Sequence, residues 1–539
     1  MRINTKIILT IPIFLASLMV FVGFNLVIAS NDVPQLTSAP TTNSTDENII
    51  SYLPCIANKY CDTEIVESPF SLEIAALHQI TTTNSLNQNI NIEKQFYAWY
   101  DQAFPTLVAA LKDSGAEWTR IVIRWLDIEP MLSYPPVYDP VMLKWYDDRL
   151  IQISQTGIKI IAIINSAPDW ANTGDGQKCP AVTSDHLLEY QQFLTYIVSR
   201  YSKSPYNIHH WEIFNEADNT TVYRADDNGC FGFYGPEYSQ VLSMSYSTIK
   251  TIDPTATVLM SGIAYEAWTE YPNGIFYRYF PDDVMISGGA SYFDALNFHY
   301  FPSYHLEWER WNPPAQPTCS RPPGDPGYTA YYGGGIDVSA KKNFFTNRMS
   351  TCFNVDKPVW LTEMAEVGVP GDEGSLRNQA YYVMKGYSRG LAAGIKNITW
   401  FTLVSPPYDP WNQGLLYPDF SPKPAFFTYK TLVSQLTNYK YDRTLSISGG
   451  EAYVFRHSCN GETIVAWGND VPITISPATS LEVTDYLGNV TLIQDGGPGD
   501  RDGSQNGSIQ VMLFNDPMSG SSNVPGPVPI PVFIHRTSP

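Results

Sequence analysis

From about residue 70 the chain alternates short apolar runs with longer amphipathic stretches. Eight runs read as strands: Leu72 to Leu77, Arg120 to Trp125, Lys159 to Ile164, His209 to Phe214, Thr257 to Ser261, Ala295 to His299, Val359 to Thr362 and Ile398 to Val404. Helical spacing fills the intervals, as in Phe96 to Ser114, Asp139 to Thr156, Ser184 to Ser202, Pro236 to Ile252 and Ser375 to Gly394. Strands that alternate with crossover helices make a parallel sheet. Eight of them, with no dinucleotide-type glycine fingerprint after the first, predict an α/β chain closed into a (β/α)₈ TIM barrel over residues 70–436.

Beyond Asn438 the helical period stops. Ala452 to His457 and Thr463 to Trp467 flank Asn460-Gly461, a hairpin signal. Leu481 to Asp485, Val490 to Ile493 and Ser508 to Phe514 continue the alternation, and Val532 to His535 reads as an added edge strand. Residues 437–539 are therefore expected to form a small antiparallel, sandwich-like β-domain that stabilises the barrel and supplies no catalytic group. Residues 31–69, rich in Ser, Thr, Pro and Asn at their start, read as a linker and N-terminal extension.

Residues 1–30 carry Arg2 and Lys6 and then a mainly apolar run from Ile7 to Ala29. That is an export signal, either cleaved after small residues or retained as a membrane anchor, and it predicts a secreted or otherwise extracytoplasmic chain with a possible membrane tether. In such a compartment seven cysteines suggest three disulfides and one left over. Cys55 with Cys61, Cys179 with Cys230 and Cys319 with Cys352 are the pairs expected, leaving Cys459; other connectivities stay open.

The formal charge of −20 argues against a phosphate-backbone partner, so no nucleic acid is expected. Aromatic residues reach 14% of the chain, and flat amphipathic rings suit the apolar faces of sugars, although most must be core or loop residues. No Cys-x-x-Cys or His-Glu-x-x-His run appears and the eight His are scattered, so neither a metal nor a cofactor is expected.

Barrel enzymes carry their chemistry at the C-terminal ends of strands. The fourth predicted strand ends in Trp211-Glu212-Ile213-Phe214-Asn215-Glu216-Ala217, and the seventh in Val359-Trp360-Leu361-Thr362-Glu363-Met364. Two carboxyl groups on facing strand ends are what glycoside hydrolysis needs, one to protonate the leaving oxygen and one to attack the anomeric carbon. Glu366 competes locally with Glu363, but Glu363 ends the apolar run directly. Glu212, of the same strand parity as Glu216, reads as a structural residue one layer lower.

Over roughly residues 70 to 436 the sequence resembles the glycoside hydrolases of clan A. Their acid/base glutamate follows an asparagine on the fourth strand, matched by Asn215-Glu216, and their nucleophile ends the seventh, matched by Glu363. The barrel, the trailing β-domain and the Phe-Asn-Glu-Ala ending are most similar to family 39, with family 5-like sequences sharing nearly all these features. The resemblance implies a retaining hydrolase of β-linked poly- or oligosaccharides. Arg124 looks like the arginine that steadies the nucleophile, and Asn215 like the partner of the sugar 2-hydroxyl. Trp170, in Pro168-Asp169-Trp170, and Trp400 look like the sugar-stacking rings. The sixth strand departs from the expected His-x-Tyr and reads His299-Tyr300-Phe301, so either Tyr300 or Tyr304 is the tyrosine that meets the nucleophile. The resemblance also implies opposite protonation: Arg124 keeping Glu363 ionised, and Glu216 holding a proton with a raised pKa. The alternative is a non-catalytic carbohydrate-binding surface protein on a degenerate barrel.

Overall fold

The structure is a computed structural model. It describes residues 67–74, 86–172, 181–220, 231–266, 268–269, 274–302, 319, 337–406, 411–519 and 526–537, with only the backbone helix for 86–99.

Eight parallel strands form one sheet: β1 (Phe70–Glu73), β2 (Trp118–Arg124), β3 (Lys159–Asn165), β4 (His210–Ile213), β5 (Thr257–Leu259), β6 (Leu296–Tyr300), β7 (Val359–Met364) and β8 (Asn397–Trp400). Their order is β5-β4-β3-β2-β1-β8-β7-β6. Parallel bridges Leu259 to Ala295 and Ile263 to Phe298 join the two free ends, which closes the barrel.

Helices α1 (Leu86–Ser114), α2 (Trp125–Ile128), α3 (Pro140–Ser154), α4 (Leu187–Tyr201), α5 (Gly235–Ile252), α6 (Phe280–Ile286), α7 (Val338–Phe353), α8 (Glu373–Ala392) and α9 (Pro424–Leu436) connect and cover these strands. Their starts follow local chemistry. Asp139 caps α3 by accepting from the N–H groups of Val141 and Met142, and Asp372 caps α8 through Ser375. Prolines open α3, α5 and α9 near the first helical position, where a missing N–H costs nothing.

The first and eighth strands differ most from expectation. The first begins earlier, at Phe70, and ends at Glu73; the eighth stops at Trp400, and Val404 instead bridges Leu416. The barrel floor is apolar: Trp118, Ile161, Leu259, Ala295 and Trp360 point inward together. Trp118 stands edge-on to Trp360 at 5.5 Å, filling the tapered end.

Past α9 the antiparallel strands are β9 (Lys440–Leu445), β10 (Gly450–His457), β11 (Gly461–Gly468), β12 (Val471–Ile475), β13 (Ser480–Asp485), β14 (Val490–Gln494), β15 (Ile509–Leu513), the short pair β16 (Asn515–Asp516) and β17 (Val528–Pro529), and β18 (Val532–Arg536). The larger sheet runs β14-β13-β18-β11-β10-β9. The last strand is thus not an edge: it lies between β13 and β11 and pairs with both.

Period two explains how this region serves two cores. Ala452, Val454, Ile464 and Ala466 face the inner layer with the β12 and β15 side chains, while Phe455, Val465, Trp467 and Phe533 join the barrel core. Arg389 of α8 ties the two together, donating to Asp337 at 2.8 Å and to Glu451 of β10 at 2.6 Å.

Cys319 and Cys352 are bridged, with Cα atoms 5.4 Å apart. Cys459 is disulfide-bonded as well, so the expectation that it stays unpaired is corrected. Its partner lies outside the described residues, as do Cys55, Cys61, Cys179 and Cys230. Among the described residues no helix is long and apolar enough to cross a membrane; the N-terminal apolar run lies outside them.

Candidate active site

Charge enters the barrel one layer above the aromatic floor. Arg120 sits in mid-strand on β2, two residues above Trp118 and so on the same inward face. It is fully buried, and all five of its N–H donors are used. Nε and Nη2 grip Glu212 at 2.9 Å each; Nη1 donates to Glu73 at 2.9 Å and to Glu363 at 2.5 Å; Nη2 also donates to Asn215 Oδ1 at 2.6 Å. A delocalised fork with five donors can serve three carboxyls and an amide at once, whereas an ammonium cannot.

Each carboxyl reaches this centre by a local departure from strand geometry. Trp360 and Thr362 share the inward face of β7, so Glu363 would point outward in a regular strand. The ladder slips there: Phe298 pairs with Leu361 but His299 with Glu363, and Met364 pairs with Trp400. An irregularity of this kind re-aims a side chain, and Thr362 and Glu363 both face the interior.

On the other side the chain leaves β4 at Ile213, and Phe214 and Glu216 adopt positive φ of 62° and 42°. Such backbone is unfavourable for a side-chain-bearing residue and persists only when its surroundings fix it. Here the N–H of Phe214 donates to Ile164 and that of Glu216 to Gly262, both at 2.9 Å. The kink turns Asn215 and Glu216 inward, where simple alternation from Glu212 would not bring both. Glu212 itself lies deeper, gripping Arg120, as expected of a structural residue.

His299 stands between the two carboxyls. Its Nδ1 lies 3.1 Å from Glu216 Oε1 and 3.4 Å from Glu363 Oε2, and its Nε2 lies 3.2 Å from Thr362 Oγ1. Burial pushes the ring down to about 4, so it is neutral at physiological pH. Glu216 is partly exposed and Glu363 nearly closed off, which puts Glu216 toward the mouth.

One donor atom each from Glu216, His299 and Glu363 fall within 4.8 Å of one another. Donors this close could clasp a cation, but the Arg120 guanidinium against Glu363 opposes one. Burial pushes the Glu363 carboxyl above the ordinary carboxylate range, with Arg120 pulling the other way and Glu216 adding to the rise. Burial outweighs the pull of Arg120 in setting the direction of that shift.

Several expected residues take other places. Arg124 lies at the strand end, roughly 13 Å further along β2 than Arg120 at about 3.3 Å per residue. Its guanidinium is 3.7 Å from Asp127, and it is Arg120 that meets Glu363. Tyr300 follows inward-facing His299 and so turns to the helical layer, where Lys341 of α7 lies 5.8 Å over its ring. Tyr304 is outside the described residues.

Trp400 is fully buried, with its indole N–H given to the Gln413 carbonyl at 3.0 Å; a ring with no exposed face has none to offer a sugar. Trp170 is half-buried after β3, edge-on to Trp125 at 5.2 Å and donating to the Glu129 carbonyl at 3.1 Å. Glu366 accepts from the N–H of Val367 at 2.8 Å, away from this cluster.

The sequence reading missed Arg120 and Glu73. The usable signal was a charge inside a mainly apolar run, Arg120 in Trp-Thr-Arg-Ile-Val-Ile-Arg and Glu73 in Phe-Ser-Leu-Glu-Ile-Ala-Ala-Leu. Such a charge needs partners. Burial pushes Glu73 up from 4.5 to about 8, against the pull of Arg120.

That shift has a stability consequence. Between those two values the folded chain keeps a proton that the unfolded chain gives up, so stability falls as pH rises through the window. Glu73→Gln keeps the acceptor for Arg120 and cannot ionise. Its Tm is expected to drop less than that of the wild type between about pH 5 and about pH 8; parallel Tm curves would refute the assignment.

The comparisons agree with this architecture. The model of the cellulase family, glycosyl hydrolase family 5, matches residues 79–400. The chain belongs to that family. It is a glycoside hydrolase by family, and a carbohydrate substrate fits that membership.

Among solved structures, a family 39 glycoside hydrolase from Bacteroides cellulosilyticus WH2 is similar, at TM-score 0.57 and 18% identity, over 81% of this chain and 79% of that one. A family 39 β-xylosidase from Caulobacter crescentus is similar at TM-score 0.47 and 18% identity, over 71% and 78%. A family 30 endoxylanase from Clostridium papyrosolvens C71 is similar at TM-score 0.49 and 13% identity, over 80% and 93%. At these identities the first shows the fold alone. No curated protein matches.

Proposed function

We propose that this family 5 hydrolase cleaves β-glycosidic bonds with retention of configuration, Glu363 acting as nucleophile and Glu216 as acid/base. The observation that carries the reading is the meeting of both carboxyls at His299 within 4.8 Å. Retaining pairs stand about 5 to 5.5 Å apart, whereas inverting pairs need roughly 6.5 to 9.5 Å to admit a water.

Two carboxyls this close hold one proton between them, and Arg120 touches only Glu363. The proton is therefore assigned to Glu216, the carboxyl of the two that Arg120 does not pair with. In the first step Glu216 gives it to the glycosidic oxygen, the bond to the leaving group breaks, and Glu363 bonds to the anomeric carbon. In the second, Glu216 takes a proton from water as that water displaces Glu363. Asn215 accepts from Arg120 through its amide oxygen, which leaves its N–H₂ for the sugar 2-hydroxyl.

The substrate class is a β-linked poly- or oligosaccharide, reached outside the cytoplasm through the N-terminal signal or anchor. The test is hydrolysis of a panel of aryl β-glycosides: turnover should fall at least a thousandfold, on the order expected for loss of a nucleophile or its acid partner, in Glu216→Ala or Glu363→Ala on substrates with poor leaving groups. Equal activity in wild type and both variants would place the chemistry elsewhere.

A further inference from the structure

Thr362 has no role in the mechanism above, yet its hydroxyl sits at a junction. Oγ1 lies 3.0 Å from Asn297 Oδ1, 3.3 Å from Glu212 Oε1 and 3.2 Å from His299 Nε2. The Asn297 amide is oriented by its N–H₂ donating to the Met260 carbonyl at 3.4 Å, so it presents an acceptor to Thr362. Glu212 also faces donors only, namely Arg120 through both oxygens and the N–H of Gly262 at 3.1 Å.

One hydroxyl proton thus faces two neighbours that can only accept. It goes to one of them, and the third neighbour, His299 Nε2, must then be the donor to Thr362. A neutral imidazole has one N–H. With that hydrogen on Nε2, Nδ1 is a bare lone pair, turned toward Glu216 at 3.1 Å and Glu363 at 3.4 Å.

We propose that Thr362 is a positioning residue: by accepting from Nε2 it fixes the tautomer of His299, whose bare Nδ1 then holds the working proton on Glu216. This rests on the assignment of Glu216 as the acid/base. The contact is built into the backbone. A Cβ on Gly262 would lie 2.2 Å from His299 Nε2 and 2.7 Å from Thr362 Oγ1, so only glycine leaves the space in which the two groups meet.

The device serves both half-reactions. Before cleavage the Glu216 O–H points at Nδ1, and the proton passes to the departing oxygen as the glycosidic bond breaks. Glu216 is then a carboxylate facing a lone pair. That repulsion is relieved when it takes a proton from the attacking water, while the hydroxyl goes to the anomeric carbon and Glu363 is released. The charged and titratable groups facing the ring are Glu216 and Glu212 from the β4 segment, Glu363 from β7, Arg120 from β2 and Lys341 from α7.

Thr362→Val keeps the shape and removes the hydroxyl, which lets the ring carry its hydrogen on Nδ1 instead. The alkaline limb of the kcat/KM profile, which reports loss of the acid's proton, should move down by about one pH unit. Aryl glycosides with poor leaving groups should lose about tenfold more than activated ones. Thr362→Ser should restore both. If Thr362→Val folds poorly, Thr362→Ala is expected to show the same pattern. A uniform loss with unmoved limbs, or failure of a folded Thr362→Ser to restore the profile, overturns the proposal. Wild-type enzyme inert on every aryl glycoside would sink the underlying assignment instead.

Discussion

Azide should rescue the two glutamate variants with opposite stereochemistry. In Glu363→Ala the nucleophile is gone, and a cavity opens beside the Nη1 group of Arg120 that had held its carboxylate at 2.5 Å. A small anion fits that place and that charge. With an activated aryl glycoside, azide attacking from there gives a glycosyl azide of inverted configuration. In Glu216→Ala the nucleophile remains, so good leaving groups still form the glycosyl-enzyme and the slow step becomes its breakdown. Azide then enters from the mouth, where Glu216 stood, and yields a product of retained configuration. Without rescue each variant should retain about a thousandth of kcat or less on unactivated substrates. Product configuration, read by proton NMR, decides the roles; the reverse pattern would exchange them.

Arg120→Lys should be nearly as damaging, and for a different reason. One ammonium cannot reproduce a fork that spans Glu73, Glu212, Glu363 and Asn215. Glu363 and Asn215 lose their registration, and kcat/KM is expected to fall by about a hundredfold to a thousandfold. Stability should fall too, because a buried carboxylate left without its partner costs roughly 3 to 5 kcal/mol. Arg124→Lys, which changes a group 3.7 Å from Asp127 at the strand end, should cost less than about tenfold. A loss in Arg124→Lys equal to that in Arg120→Lys would return the nucleophile's support to Arg124.

The eight strands were legible because the barrel demands a hydrophobic run at every turn of the repeat, and Asn215, Glu216 and Glu363 were legible because they end such runs. What period two could not give was aim. Alternation alone turns Glu363 outward, and only the slip of β7 against β6 and β8 brings it in. The same rule applied to the sixth strand would have excluded Tyr300 once His299 was placed inside.

The family resemblance pointed to Arg124, at the end of its strand, and passed over Arg120 deeper on the same strand. A guanidinium several bonds long reaches the mouth from a layer below, and burial forces that deeper residue to be paired. Trp400 was likewise named on the resemblance, yet in the fold it supports the wall through Gln413. In the last strand the pattern was read correctly, but the chain end was taken for a sheet edge. Sequence order does not determine spatial order in an antiparallel sheet, where β18 pairs with β11 and β13.

The double displacement itself is tested most directly by trapping its intermediate. A 2-deoxy-2-fluoro glycoside with a good leaving group, built on whichever sugar the wild-type enzyme hydrolyses, forms the glycosyl-enzyme faster than water releases it. Mass analysis of the digested protein should find one fluoroglycosyl group, attached to the peptide that contains Glu363, and none on the Glu363→Ala variant. A label carried by another residue, or steady hydrolysis with inversion and no labelled protein at any time, would contradict the assignment.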